Sequence, residues 1–136
     1  MMKYLKFLVL FLTMGMLQAC PGEDDEILAV KLLITNSSDE DVYYYEDFYV
    51  KLLNASGVNL DRLKAQRLIV DNVKELKIYQ YHFEKNEKLY LFIYKQSTLD
   101  NHPWEEIQEQ NIYDKLYVLT LNELNTMNWQ VVYDGN

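Results

Sequence analysis

Few residues in this chain could do acid–base, nucleophilic or metal chemistry. It has two histidines, His82 and His102, and one cysteine, Cys20. No G-x-S-x-G or H-E-x-x-H spacing accompanies them. His102 sits just before Pro103-Trp104-Glu105-Glu106, where a helix should begin, so a capping role suits it better than catalysis. His82 lies on a half-aromatic stretch and reads as exposed or rim-lying. Asp39-Glu40-Asp41, with Glu46 and Asp47, offers carboxylate oxygens of the kind calcium takes. The D-x-[DN]-x-[DN]-G loop is missing, and a charged turn is the better reading. Glu105, Glu106 and Glu109 have helical spacing and read as a solvated face. The expectation is no catalytic set, no metal and no cofactor, and therefore a non-enzymatic protein.

The tyrosines say more. Eleven of the 12 fall after residue 20, together with Trp104 and Trp129. Tyrosine offers rigid area and a polar tip, which suits stacking on sugars or burying a peptide. Most of these tyrosines should line a small β core with their hydroxyls reaching water. Strand alternation puts Tyr43, Tyr45 and Tyr49 on one face with Asp47 and Lys51, so that face should be partly exposed. It is the first candidate contact surface. Tyr79 and Tyr81, with Lys77 on the same face, are the second.

The first twenty residues stand apart from the rest of the 136. Lys3 and Lys6 give a basic start, and Phe7 to Leu17 is an apolar run of 11 residues. That is short of the roughly 20 needed to span a bilayer as a helix. A basic start, a short apolar run and a small residue is the pattern of a secretory signal. A core helix fits poorly, because the run is apolar on every face. Left in an exported protein, an odd cysteine would be a free buried thiol or half of an intermolecular disulfide.

Leu17-Gln18-Ala19-Cys20 resembles the lipobox of bacterial lipoproteins, with Leu17 and Ala19 as the cleavage-site residues. The resemblance implies that Cys20 carries a diacylglyceryl group and becomes the mature N-terminus. Multiple acyl chains hold a protein on a membrane stably. Residues 1–19 would be the signal peptide, and residues 20–26 the lipidated cysteine with an acidic tether, PGEDDE. Residues 27–136 would form a single β-rich domain. Loss of Lys3 and Lys6 would lower Lys plus Arg from 13 to 11 against 21 acids, moving the net charge from −8 to −10. Such a chain should not bind nucleic acid through a basic patch, and lipid rather than charge would hold it on the membrane. PGEDDE also resembles the acidic signal by which Bacteroidota send lipoproteins to the cell surface. Its acids Glu23 to Asp25 start slightly late after Cys20, and which side of the outer membrane they select stays open.

The elements that would position these residues read as follows. Strands are expected over 28–35, 41–51, 74–83, 88–95, 115–119 and 129–133, broken by polar turns. The first two should form a hairpin across 36–40. Residues 58–70 are ambiguous between a helix turn at Leu60, Leu63 and Arg67 and a strand at Leu68 to Val70. Run 88–95 is apolar on both faces, as in the central strand of a covered sheet. Two short helices are expected near the C-terminus, one opening at Pro103 and one at Thr120, where Thr120 and Glu123 make a capping-box pattern. The sum is a mainly-β domain, an antiparallel, sandwich-like sheet structure with two short helices. The sequons at Asn36 and Asn54 read as turns.

The last third resembles a family of small Bacteroides-type lipoproteins that close with a W-E-x-I helix and an L-N-W-x-V-x-Y type of strand. The positions that carry this are Thr98, Leu99, Trp104, Glu105, Ile107, Tyr117, Leu119, Leu124, Asn128, Trp129, Val131 and Tyr133. The stretch NSSDEDVYYY also matches the start of such chains, and residues 52–75 do not correspond. The resemblance implies location and fold and brings no activity with it. The functional expectation is an outer-membrane envelope lipoprotein acting as a binding or interaction module, with a glycan or a protein as partner. The alternatives are an accessory subunit of an outer-membrane assembly, or an inhibitor or immunity-type protein whose acidity suits a basic partner. Oligomeric state is not legible.

Overall fold

Strand β5, Leu89–Lys95, is where both core layers meet. Its alternation sends Leu89, Leu91 and Ile93, all fully buried, to one side and Phe92 and Tyr94 to the other. A computed structural model of the chain describes residues 29–48, 58–85 and 87–136. Among them β5 is flanked by β2 (Val42–Asp47) and β6 (Lys115–Leu119), both antiparallel to it. A short β3 (Arg67–Leu68) pairs with β2 at the far edge of the same sheet. The second sheet has the order β4-β1-β7, with β4 at Val73–Tyr79, β1 at Ala29–Asn36 and β7 at Gln130–Tyr133. β1 runs antiparallel to β4 and parallel to β7. The fold is therefore mainly β, two open and mostly antiparallel sheets in a sandwich-like arrangement.

The main core fills the space between the sheets. Leu32 and Ile34 of β1, Ile78 of β4 and Val131 and Tyr133 of β7 meet Val42, Tyr44, Leu91 and Ile93. Each such side chain stabilises the fold by about 1.5–3 kcal/mol on burial. The outer face of the four-stranded sheet is also covered. Helices α1 (Leu60–Lys64), α2 (Gln96–Asn101) and α3 (Trp104–Gln110) lie along the chain here. Leu63 and Ile107 bury against Tyr43, Tyr45, Phe92 and Tyr94 in a second core. Helix α4 (Leu121–Thr126) precedes β7 and carries the full capping box, with Glu123 N–H donating to Thr120 Oγ1 and Thr120 N–H to Glu123 Oε2. Leu124 is buried beneath it, with Leu121 and Met127 packed at the margin.

Several expectations need correction. β1 and β2 do not form a hairpin, because they belong to different sheets. The polar turn is a corner between layers, built on a fully buried Asn36. Asn36 Nδ2 donates to the carbonyls of Glu40 (2.9 Å) and Leu68 (3.0 Å), and its Oδ1 accepts from the Ser38 amide and hydroxyl. Those bonds tie the end of β1 to the edge strand of the other sheet. Residues 74–83 are not one strand either: β4 ends at Tyr79 and Gln80–Phe83 winds a 3-10 turn, η1. The ambiguous 58–70 contains both elements, α1 and then β3. Pro103 is the N-cap of α3 rather than its first helical residue, and α2 is a helix that the sequence did not announce.

Candidate contact surface

The site is assembled at the end of the sandwich where β1 begins. Ala29, the first residue of β1, pairs with Tyr79, the last of β4. The chain must then turn toward β5. Phe83 is drawn into the inter-sheet core, 8% exposed, edge-on to the rings of Phe48 and Trp129 at 5.4 Å and 6.3 Å. A straight strand would place Tyr81 and Phe83 on the same face. The 3-10 turn separates them, so Phe83 goes in and Tyr81 comes out, 53% exposed.

The rings beside it form a ladder. Tyr79 and Tyr81 stack at 5.6 Å, Tyr81 and His82 lie 4.3 Å apart, and His82 lies flat on Phe48. The Lys77 ammonium stands 5.4 Å from the Tyr79 ring centroid, a cation–π distance. Lys77 faces Lys31 across the strand pair, and Lys31 is joined to Glu75 at 3.1 Å. The ladder thus runs from the exposed Tyr81 and the half-buried Tyr79 through a histidine into core aromatics, which ties the ledge to the body of the fold.

Next to the ledge is a groove between η1 and the first turn of α4. One hollow of about 210 Å³ is lined by Gln80, Tyr81, Phe83, Glu84 and Leu121. A second of about 360 Å³ continues from Phe83 and Leu121 to Thr120, Asn122, Glu87 and Lys88. Its back wall is supported by an unusual backbone. Asn128 and Trp129 both have positive φ, 54° and 55°. For a bulky residue such as tryptophan this is uncommon. Trp129 is held there by its Nε1–H to Asn125 Oδ1 (2.9 Å), its N–H to the Leu124 carbonyl (2.8 Å) and the burial of its ring.

The first candidate surface fares differently. Tyr43 and Tyr45 are 6% and 8% exposed, because the layer of α1 to α3 covers their face. Tyr43 donates to Gln96 Oε1 (2.8 Å), and Arg62 stands 5.9 Å above the Tyr45 ring. These two are core residues, not an exposed surface. Tyr49 lies outside the described residues, as do Leu17, Ala19 and Cys20. Tyr44, Tyr94 and Tyr133 are buried more deeply still. Loss of hydration raises all three hydroxyls, Tyr44 and Tyr133 to about 12.

Glu40, Asp41, Asp114 and His102 join neighbouring elements. Glu40 accepts from the Ser97 amide (2.8 Å) and hydroxyl (2.7 Å) at the start of α2, and these bonds lower its pKa. Asp41 accepts from the Val70 amide (3.0 Å) and from Arg67, and its pKa is lowered, first by the amide bond. Asp114 accepts from the Lys95 amide (2.7 Å) and Thr98 Oγ1 (2.9 Å). His102 Nδ1 lies 3.1 Å from Glu106 Oε1 in the helical layer, away from His82 in the ladder. Among the described residues no three His, Cys, Asp or Glu gather as metal ligands.

The sequence singled out Tyr79, Tyr81 and Lys77 but not the partners that hold them. Phe48 and His82 stack only because β2 ends beside η1, and Thr120 and Leu121 form the groove wall only because β6 ends there too. Comparison with family models, curated proteins and solved structures finds no match for this chain.

Proposed function

We propose that this chain is a lipid-anchored, non-enzymatic interaction module of the bacterial envelope, working through the Tyr79–Tyr81 ledge and the groove beside it. The observation that carries this reading is the division of labour among its side chains. Glu40, Asp41 and Asp114 are spent on bonds between elements, while an exposed Tyr81, with the half-buried Tyr79 stacked on it, stands on an aromatic backing of His82 and Phe48. Such a pair fits a sugar ring or an apolar side chain, and Gln80, Glu84 and Asn122 offer polar atoms along the groove. The anchoring part of the proposal rests on the lipobox-like Leu17 to Cys20 and the signal-like run before it.

Replacing Tyr79 and Tyr81 together by Ser tests the surface. Glycan-array and envelope-protein capture should show a hit that this double variant loses while unfolding at the same denaturant concentration. Hits that survive the change place the contact elsewhere. Replacing Cys20 by Ala tests the anchor: fatty-acid labelling should vanish, and labelling that persists removes that part of the proposal.

A further inference from the structure

The ledge and Ala29, the first described residue, share one end of the molecule. Ala29 pairs directly with Tyr79. Nine residue steps separate Cys20 from Ala29. Fully extended, that length spans at most about 30 Å. An anchor at Cys20 therefore keeps Ala29 within about that distance of the bilayer, with Tyr79 one strand spacing, about 5 Å, further on. Tyrosine is a residue of the lipid–water boundary, its ring favouring the apolar side and its hydroxyl the wet side. Tyr81 offers such a ring at 53% exposure, with Tyr79 stacked behind it.

Charge points the same way round. Residues 73–85, which form β4, η1 and the turn after it, hold three lysines and two glutamates, a net +1. Residues 96–114, which form α2, α3 and the turn after them on the opposite side of the four-stranded sheet, hold five acids and no lysine or arginine, a net −5. An anionic membrane surface would repel the helical layer and leave the ledge indifferent.

We infer that the Tyr79–Tyr81 end docks on the lipid–water interface of the membrane that holds the anchor, fixing the domain with its acidic helical layer outward. The inference rests on the anchoring proposal; it gives the Tyr81 ring to the lipid boundary and leaves the groove from Thr120 and Asn122 to Glu87 and Lys88 open to a glycan or protein. The attraction is interfacial burial of tyrosine rings, not a basic patch, so it is insensitive to salt.

Nitroxide accessibility tests it. Lipidated protein carrying Lys85→Cys or Glu105→Cys is purified from membranes, spin-labelled and placed in vesicles of phosphatidylethanolamine and phosphatidylglycerol. The label at 85 should lose collisions with a water-soluble nickel complex and gain them with oxygen dissolved in lipid, at low and high salt alike. The label at 105 should behave as in water. Adding Tyr79→Ser and Tyr81→Ser should return the label at 85 to water. Equal water access at both positions in a protein that carries fatty acid overturns the inference and leaves the anchor standing. Shielding at 85 that needs a soluble glycan or protein overturns it in favour of that partner. Absence of fatty acid overturns anchor and inference together.

Discussion

The His82 imidazole lies flat on the Phe48 ring, with centroids 4.1 Å apart and planes 10° from parallel. This stack fastens η1 to the end of β2, and with it the tyrosine ledge to the body of the fold. Aromatic pairs of this kind contribute about 0.5–1.5 kcal/mol beyond their area. His82→Ala should therefore lower unfolding stability by about that amount, while His82→Phe should keep most of it. Denaturant titration of the three proteins decides the matter. Equal losses in both variants would show that the stack contributes nothing specific.

The Asn36 corner is the most demanding polar site in the described structure. Its side chain serves the carbonyls of Leu68 and Glu40 and the amide and hydroxyl of Ser38. Asn36→Ala should cost about 2–4 kcal/mol, because it leaves buried groups without partners. Ser38→Ala should cost about 1 kcal/mol, since the Ser38 amide keeps its bond. Thermal and denaturant midpoints give both values.

Backbone strain before β7 gives a test of opposite sign. Asn128 has φ 54°, a conformation glycine adopts freely and a β-branched residue resists. Asn128→Gly should be neutral or slightly stabilising, and Asn128→Val should destabilise by about 1–2 kcal/mol. The unfolding midpoint of Asn128→Gly should lie at or slightly above the parent value and that of Asn128→Val below it.

Acid should weaken the corner between the sheets and α2. Asp41 and Glu40 have folded pKa values below their ordinary ones, because amide and side-chain bonds favour their charged forms. The unfolded chain regains values near 4. Stability from these groups is thus complete above that range and is lost as pH falls through the lower folded values. Glu46 opposes this, since burial raises its pKa and protonation relieves it. Asp41→Asn should be less stable at neutral pH and should lose less on acidification. Denaturation midpoints from neutral pH to about pH 3 would show it as a shallower slope.

How much was legible follows from where each residue's neighbours come from. β5 could be read from LYLFIYK alone, because both of its faces are apolar and only a central, covered strand suits that. Thr120 and Glu123 announced α4, since a capping box is local. Tyr43 and Tyr45 are not legible as core residues because their cover is remote. Leu63 and Ile107 arrive from α1 and α3, and α1 lies in a stretch without clear periodicity. Helix α2 has only Leu99 as an apolar residue, so no stripe betrayed it. The hairpin expectation failed because Asn36 looked like a turn residue, and its burial depends on β3, which lies 32 positions away. Strand alternation marks Tyr81 as a surface candidate, but its turn outward depends on Phe83 reaching Trp129, 46 positions further along the chain.

The central claim is that the protein works through its aromatic end. Amide hydrogen exchange on the full chain, compared between membranes carrying the proposed lipid-anchored form and detergent, tests it most directly. Protection in membranes confined to residues 73–88 and the start of α4 is the expected result. Protection confined to α2 and α3, or none at all, would contradict it.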